Sequence, residues 1–187
     1  MNVLFVCTGN ICRSPLAKQM LDQMLLSGSQ SNYARTNDGR ASQVVTDSAG
    51  THAMSGDEMN AGSVRAAELL GFTPQSHTAK QITKELVEWS DLVLTSTEQQ
   101  RTDVVELHVR ANRYTFTLLE FANLASHYEG AATQIDARLA DTISHRGMVP
   151  QLSVLDIADP YGRDSAAFER MDAQTKTALE QVLAWLP

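Results

Sequence analysis

The chain has 187 residues, enough for one domain with a substantial core, and its 43% hydrophobic and 20% charged residues are ordinary for a globular protein. Its formal net charge of −7 argues against nucleic acid or an anionic membrane as the main partner. The first residues lack the basic flank of a secretory signal, and no apolar stretch approaches the length that spans a bilayer.

The chain begins with an apolar run at residues 2–6 that predicts a strand, and a helical pattern starts at Pro15. Between them stand Cys7 and Arg13. A cysteine between a strand and a helix lies among backbone N–H groups that bind phosphate-like dianions and favour thiolate over thiol. Arg13 can hold two phosphate oxygens with its planar guanidinium. The loop therefore predicts that Cys7 attacks a phosphoryl group and is not an incidental buried cysteine.

The predicted phosphate-binding loop consists of Thr8, Gly9, Asn10, Ile11, Cys12, Arg13 and Ser14. Gly9 allows backbone conformations that other residues avoid, and Asn10 tolerates a left-handed one. Ser14 before Pro15 is typical of a helix cap followed by proline at the first helical position. Ser14 is also the best candidate to hydrogen-bond Cys7. The loop lacks the Gly-Lys-Ser/Thr ending of a Walker-type nucleotide site.

Further strands are predicted at residues 43–47, 91–95 and 114–117, which carry β-branched or aromatic residues. Helices are predicted at residues 15–26, 60–70, 84–90, 97–109, 118–126 and 165–185. This alternation indicates an α/β domain with a central four-stranded parallel sheet and helices on both faces. Because ligands bind beyond the carboxyl ends of such strands, Cys7 stands where a site is expected.

The segment Asp159-Pro160-Tyr161-Gly162 has the composition of an exposed turn, and on these residues alone a plain turn is the favoured interpretation. Phosphoryl transfer to a thiolate also needs an acid that protonates the departing oxygen opposite the nucleophile. A carboxylate from this segment could supply that proton. Asp156 and Asp164 are rivals to Asp159 for the role.

Residues 6–15 (VCTGNICRSP) resemble the signature loop of the low-molecular-weight protein tyrosine phosphatases very closely. The resemblance extends to residues 47–51 (DSAGT), 76–81 (SHTAKQ), 91–95 (DLVLT) and 159–161 (DPY), in the family's order and over most of the chain. It implies a single domain over residues 1–187 with the Rossmann-like phosphotyrosine phosphatase I fold.

Two stretches are predicted to be surface insertions. Residues 27–41 are rich in Ser, Asn, Gly and Arg and predict a long loop. Residues 126–158 exceed what the family leads us to expect. Within them, residues 132–146 predict an amphipathic helix with Ile135, Leu139 and Ile143 on one face. We expect this helix to cap the body or cover the site, and docking of a partner is the alternative.

The resemblance implies a cysteine-dependent hydrolase that removes phosphate from phosphotyrosine through a phosphocysteine intermediate. Cys7 would attack phosphorus, and Asp159 would protonate the phenolic oxygen and then activate water. Arg13 and the loop N–H groups would stabilise the equatorial oxygens. No metal or cofactor is required, and the five histidines show no HExxH or paired spacing of a metal site.

The resemblance also implies supporting roles. The residues expected to brace the loop as a hydrogen-bonded network are Asn10, Ser48 and His77. Those expected to flank the phenyl ring are Thr51, His52 and Tyr161, although from its residue type alone His52 is best interpreted as a surface or structural histidine. Gly162 stands where many relatives have a second tyrosine, and residues 54–59 lack the family's usual proline, which leaves peptide preference open.

Cys7 and Cys12 are the only cysteines, so a secreted disulfide framework is not expected and a reducing cytoplasm is the natural setting. Cys12 has three interpretations: filler, a backup thiol, or a partner that captures oxidised Cys7 in a reversible disulfide. We favour the disulfide, because a tightly curved loop brings residues five apart within reach of each other.

Two other functions are compatible with these residues. An arsenate reductase of the same fold could use Cys7, but the chain has no further resolving thiol and would need an external low-molecular-weight thiol. A non-catalytic phosphotyrosine-binding module is disfavoured because nucleophile, arginine and acid are all present. The expected partner is a phosphotyrosine-containing protein, with inorganic phosphate as product. A bacterial tyrosine kinase is one candidate substrate.

Overall fold

The computed structural model describes residues 1–28 and 44–186. The strands are β1 (Asn2–Cys7), β2 (Val45–Gly50), β3 (Leu92–Thr95) and β4 (Thr115–Thr117). The helices are α1 (Arg13–Gly28), α2 (Ala61–Leu69), α3 (Lys84–Trp89), α4 (Glu98–Leu107), α5 (Leu118–Ser126), α6 (Ile135–Ser144) and α7 (Ser165–Trp185), with a 3₁₀ helix at Val109–Arg113. The loop predicted at residues 27–41 lies almost wholly outside the described residues.

The four strands form one parallel sheet in the order β2-β1-β3-β4, as predicted. Alternate side chains of β1 enter two separate cores: Val3 and Phe5 on one face, Leu4 and Val6 on the other. Helices therefore cover both faces, because a strand buried on both sides needs apolar partners on both. Parallel pairing also brings the carboxyl ends of the strands to one edge, and Cys7 lies at that edge beside Gly50.

The longest helix, α7, closes one face by packing against α1, α2 and α5. Its buried stripe runs from Phe168 to Trp185, whose ring meets Phe121 edge-on at a centroid distance of 5.2 Å. The helix begins directly after the Asp159 turn, with Asp164 as its N-cap. Within the described residues, no helix has the length and hydrophobicity needed to cross a membrane.

Two of the boundaries that differ from those predicted lie next to the Cys7 loop. Strand β2 runs to Gly50 instead of stopping at residue 47, because pairing with β1 extends it through small residues that have no strand preference. Helix α1 begins at Arg13, so Pro15 is its third residue instead of its first. Proline is still tolerated there, since the first N–H groups of a helix lack helical acceptors.

The amphipathic helix predicted at residues 132–146 is present as the shorter α6, with Ile135 and Leu139 buried. It is fixed to the body by Thr142, which accepts a hydrogen bond from the indole of Trp185 at 2.9 Å. Just beyond it, the Arg146 guanidinium lies 4.3 Å from the centre of the Phe116 ring. That residues 126–158 are an insertion stays a prediction.

Candidate active site

The thiol of Cys7 is buried at the carboxyl end of β1, where the chain turns into α1. Its Sγ lies 2.9 Å from Oγ of Ser14 and accepts a hydrogen bond from the backbone N–H of Asn10 at 3.2 Å. Ser14 Oγ accepts from the Asn10 side chain at 2.9 Å, and its one proton has two acceptors in reach, Sγ of Cys7 at 2.9 Å and the Ala49 carbonyl at 3.3 Å. An ionised Sγ is the stronger acceptor of the two. A thiolate at Cys7 would therefore have two donors in place.

Asn10 adopts the left-handed conformation that its residue type permits, with φ of 56°. Its side-chain amide donates to Ser14 and also to Oγ of Ser48 at 3.1 Å, and its Oδ1 accepts from the backbone N–H of Lys80 at 2.9 Å. Nε2 of His77 lies 2.7 Å from the Asn10 carbonyl and must donate, because a carbonyl only accepts. Burial lowers the pKa of His77, which favours the neutral ring. The structure thus brings Asn10, Ser48 and His77 together.

Five consecutive carbonyl oxygens of the loop have hydrogen-bond partners outside it. Those of Cys7, Thr8 and Gly9 accept from the N–H groups of Thr51, His52 and Met54, that of Asn10 from His77, and that of Ile11 from Asn60. In a trans peptide the N–H points away from the C=O. Because the carbonyls are turned outward, the loop N–H groups face inward, which is the arrangement that binds an anion.

Two expectations about the loop were wrong. Gly9 has no left-handed backbone, and an added Cβ would meet Ile11 at an ordinary 3.5 Å, so its conformation does not require glycine. Glycine is needed instead at Gly50, where a Cβ would come within 3 Å of the Thr8 carbonyl and clash. Ser14 is not a helix cap, because it lies inside α1 and its hydroxyl contacts Cys7, Asn10 and the Ala49 carbonyl.

Arg13 is buried and lies against the acidic turn. Its Nη2 is 2.7 Å from Oδ2 of Asp159, and its Nη1 donates to the carbonyl of Ile157 at 3.1 Å. Its Nε is buried and has no hydrogen-bond partner among the described residues. Oδ1 of Asp159 accepts from the N–H of Tyr161 at 3.1 Å, and Gly162 supplies the positive φ of 72° that completes the turn. The Asp159 side chain is 49% exposed, so it can change position.

These groups open into a cavity of about 220 Å³. Its lining residues are Cys7, Thr8, Gly9, Ile11, Cys12, Arg13, His52, Met54, Asp159 and Tyr161. Thr51 does not line it, and its hydroxyl lies 3.3 Å from Nδ1 of His52 instead. Met54 lines the cavity instead. Sequence reasoning missed this residue because the course of the loop that follows β2 depends on hydrogen bonds to distant segments.

The rival carboxylates lie elsewhere. Asp156 accepts a hydrogen bond from the first N–H of α4, at Glu98, at 2.8 Å, and Asp164 caps α7 through the N–H of Ala167 at 3.0 Å. Asp159 is therefore the only one of the three candidate acids that lines the cavity.

Both cysteines are free and buried. Burial is the main cause that raises the pKa of the Cys12 thiol to about 12, so Cys12 is a thiol at neutral pH and a poor nucleophile. The favoured disulfide between Cys7 and Cys12 stays a prediction.

Sequence reasoning also missed Gln100. Its side chain is 3% exposed and donates a hydrogen bond to Oγ1 of Thr8 at 3.1 Å. The available signal was the capping box that Gln100 forms with Thr97 at the start of α4, a spacing that is visible in the sequence.

Comparisons with known proteins agree with this geometry. A family model described as low molecular weight phosphotyrosine protein phosphatase matches residues 2–136. A protein-arginine-phosphatase from Geobacillus stearothermophilus is 32% identical over 121 residues, 65% of this chain and 71% of that protein. The low molecular weight protein-tyrosine-phosphatase Ptp from Acinetobacter johnsonii is 26% identical over 178 residues, 95% of this chain and 92% of that protein. The solved YwlE arginine phosphatase from Geobacillus stearothermophilus gives a TM-score of 0.69 at 26% identity, covering 98% of this chain and 90% of that one.

Proposed function

Since the family model matches most of the chain, the protein belongs to the low molecular weight phosphotyrosine protein phosphatase family, and we propose that it hydrolyses phosphotyrosine through a phosphocysteine. The observation that carries this proposal is that Cys7, Arg13 and Asp159 line one cavity. They supply a nucleophile, a charge clamp and a proton donor, the groups that cleavage of an aryl phosphate at a thiolate requires.

In the first step, the Cys7 thiolate attacks phosphorus in line and the bond between phosphorus and the phenolic oxygen breaks. Asp159 gives its proton to the departing oxygen, which leaves phosphocysteine and an ionised Asp159. In the second step, Asp159 takes a proton from water as the water attacks phosphorus, and the Cys7 thiolate and inorganic phosphate are released. The hydrogen bonds from Ser14 and the Asn10 N–H stabilise the thiolate as leaving group.

Arg13 supports both steps through one edge of its guanidinium. Nε and Nη2 share that edge, and Nε has no partner among the residues described, while Nη2 holds Asp159. A phosphoryl group in the loop would bind both atoms and compete with Asp159 for the positive charge at Nη2. The half-exposed carboxyl group can then turn toward the leaving oxygen, which links binding of phosphate to release of the acid.

The walls of the cavity favour an aryl phosphate over phosphoarginine. Ile11, Met54 and Tyr161 offer apolar surface to a phenyl ring. A phosphorylated guanidinium keeps several N–H donors, and among the described residues Asp159 is the only carboxylate on the lining. We therefore place this chain with the tyrosine phosphatases among its relatives, although a protein-arginine-phosphatase is 32% identical to it.

Arsenate reduction is not favoured, because the matching family model and the relatives named above are phosphatases. Family membership implies phosphoprotein substrates and phosphate as a product. A tyrosine kinase is one candidate substrate. A reducing compartment such as the cytoplasm suits an enzyme whose nucleophile must remain a thiolate.

The test is metal-free hydrolysis of matched phosphotyrosine and phosphoarginine peptides by the wild type and by Cys7→Ser. We expect phosphotyrosine turnover that disappears in Cys7→Ser, with kcat/KM at least about tenfold above that for phosphoarginine. Preference for phosphoarginine would overturn the substrate proposal. Turnover that persists in Cys7→Ser would overturn the phosphocysteine mechanism.

A further inference from the structure

Gln100 is a buried polar residue outside the reacting groups, and its side chain joins the start of its own helix α4 to the phosphate-binding loop. Its Oε1 accepts from the backbone N–H groups of Ser96 and Thr97, both at 3.0 Å. Its Nε2 donates to the Thr8 hydroxyl in the phosphate-binding loop at 3.1 Å. Since two N–H donors identify Oε1 as the oxygen, the orientation of the amide is determined.

The residues that Gln100 holds are themselves bound to the acidic segment. The Ser96 carbonyl accepts from the N–H of Ile157 at 2.8 Å, and the Ile157 carbonyl accepts from Nη1 of Arg13 at 3.1 Å. Ile157 stands two residues before Asp159. A closed ring of hydrogen bonds therefore runs from Thr8 through Gln100, Ser96 and Ile157 to Arg13, which belongs to the same loop as Thr8.

We propose that Gln100 is a positioning residue that fixes the distance between the Cys7 loop and the Asp159 turn. The inference rests on the proposed function. Gln100 makes the only link in the ring through a side chain of α4, and its 3% exposure means that water cannot replace it without rearrangement. Without this link, the loop and the turn remain joined through Arg13, and Ser96 stays bonded to the Val6 carbonyl at 2.9 Å. The Thr97 N–H, however, loses its acceptor, and the Thr8 hydroxyl loses its bond to α4.

The consequence concerns proton transfer more than phosphate binding. A general acid must lie within hydrogen-bond reach of the leaving oxygen, and small displacements reduce its contribution steeply. p-Nitrophenolate leaves readily without a proton, whereas phenolate does not. Misplacement of Asp159 should therefore slow phenyl phosphate far more than p-nitrophenyl phosphate.

The experiment measures kcat/KM for both substrates in Gln100→Met, which keeps the side-chain volume and removes both hydrogen-bonding atoms. We expect kcat/KM to fall about tenfold for phenyl phosphate and less than about threefold for p-nitrophenyl phosphate. Gln99→Met is the matched control, because Gln99 is the exposed neighbour whose amide donates to Asp103, and it should leave both values unchanged.

Thr8→Val removes the same hydrogen bond from the other side and leaves α4 intact. It should change the ratio of kcat/KM for the two substrates in the same direction. If Gln100 had a merely structural role, its loss would reduce the fraction of active enzyme and so lower kcat/KM equally for both substrates. The proposal would be overturned if, in both variants, kcat/KM fell by the same factor for the two substrates, or if the ratio of the two kcat/KM values did not change. If the wild type hydrolyses neither substrate, the proposed function fails instead.

Discussion

Asn10 and Asp172 are equally buried, with no exposed surface, yet the fold treats them in opposite ways. Every polar atom of the Asn10 side chain has a partner: its amide donates to Ser14 and Ser48, and its oxygen accepts from Lys80. Neither carboxylate oxygen of Asp172 has a hydrogen-bond partner among the described residues. One buried polar group is fully paired, and the other, on α7, is not.

The comparison shows that the buried polar side chain of Asn10 supports the active site, whereas that of Asp172 does not. The bonds of Asn10 hold a left-handed residue in the loop and so help to turn the loop carbonyls outward. Asp172 lies in the stripe that buries Phe168 and Leu179, where an apolar side chain would be expected. Burial raises the pKa of Asp172 to about 8, so the group is mostly a neutral acid at pH 7. Burial of this carboxyl group lowers the stability of the fold, and the Asp172 side chain takes no part in the active site.

The largest expected effect is a gain in stability from Asp172→Asn that grows with pH. In the unfolded chain the carboxyl ionises near pH 4, while in the fold it ionises near pH 8. The contribution of Asp172 to wild-type stability is therefore highest below pH 4, falls by about 1.4 kcal/mol per pH unit between these values and then levels off. By pH 8 the accumulated difference from the variant is about 5 kcal/mol. Urea unfolding at four pH values between 5.5 and 8.5 measures it.

The matched control is Glu169→Gln, which neutralises an exposed carboxylate on the same helix and should show no comparable slope. Parallel stability curves for the wild type and Asp172→Asn would mean that Asp172 has a partner or is ionised in the fold. The contrast with Asn10 would then be lost.

The next largest effect is expected for Asn10→Ala, with the opposite sign. The change removes the hydrogen bonds that the Asn10 side chain makes to Ser14, Ser48 and the Lys80 N–H, and it places alanine at a positive φ. We expect a loss of about 3 kcal/mol in the free energy of unfolding and a fall of about 100-fold in kcat/KM for aryl phosphates. Denaturant unfolding and steady-state kinetics on the same preparation measure both.

Asn112→Ala is the control, because Asn112 is an exposed asparagine and should be neutral. If Asn10→Ala lost stability but kept full activity, the network would hold the fold together without shaping the anion site.

The contiguous part of the site was accessible from the sequence, because its chemistry depends on neighbours along the chain. Cys7, Arg13 and the left-handed Asn10 lie in one seven-residue segment at a strand-to-helix junction, and each has the geometry that its residue type indicates. The parallel sheet followed in the same way from alternating apolar strands and helices. The position of Asp159 depended on the resemblance, since the segment alone indicates only a turn.

What sequence reasoning missed depends on contacts between distant segments. The lining role of Met54, the clash that requires Gly50 and the hydrogen bond between Gln100 and Thr8 arise only when the strands are aligned at one edge. The unpaired Asp172 had a visible signal, because a carboxylate interrupts the apolar stripe of α7.

The smallest effect is expected for Ser48→Ala, which removes one of the three partners of the Asn10 side chain. Ser48 is 2% exposed, so the amide hydrogen that it accepted would be left unpaired. We expect a loss of about 1 kcal/mol in stability and a fall of about threefold to tenfold in kcat/KM. The same unfolding and kinetic measurements used for Asn10→Ala place the two variants on one scale.

Ser126→Ala is the control for loss of a serine hydroxyl, since Ser126 is exposed and its hydroxyl contacts Asn123 and His127 at the end of its own helix. The double variant Asn10→Ala/Ser48→Ala then decides whether the network acts as a unit. If it does, removing Ser48 costs little once Asn10 is gone, because the hydroxyl has lost the group that it held. Additive losses would mean that Ser48 supports the strand β2 independently, and the full pairing of Asn10 would then be a feature of packing and not of the anion site.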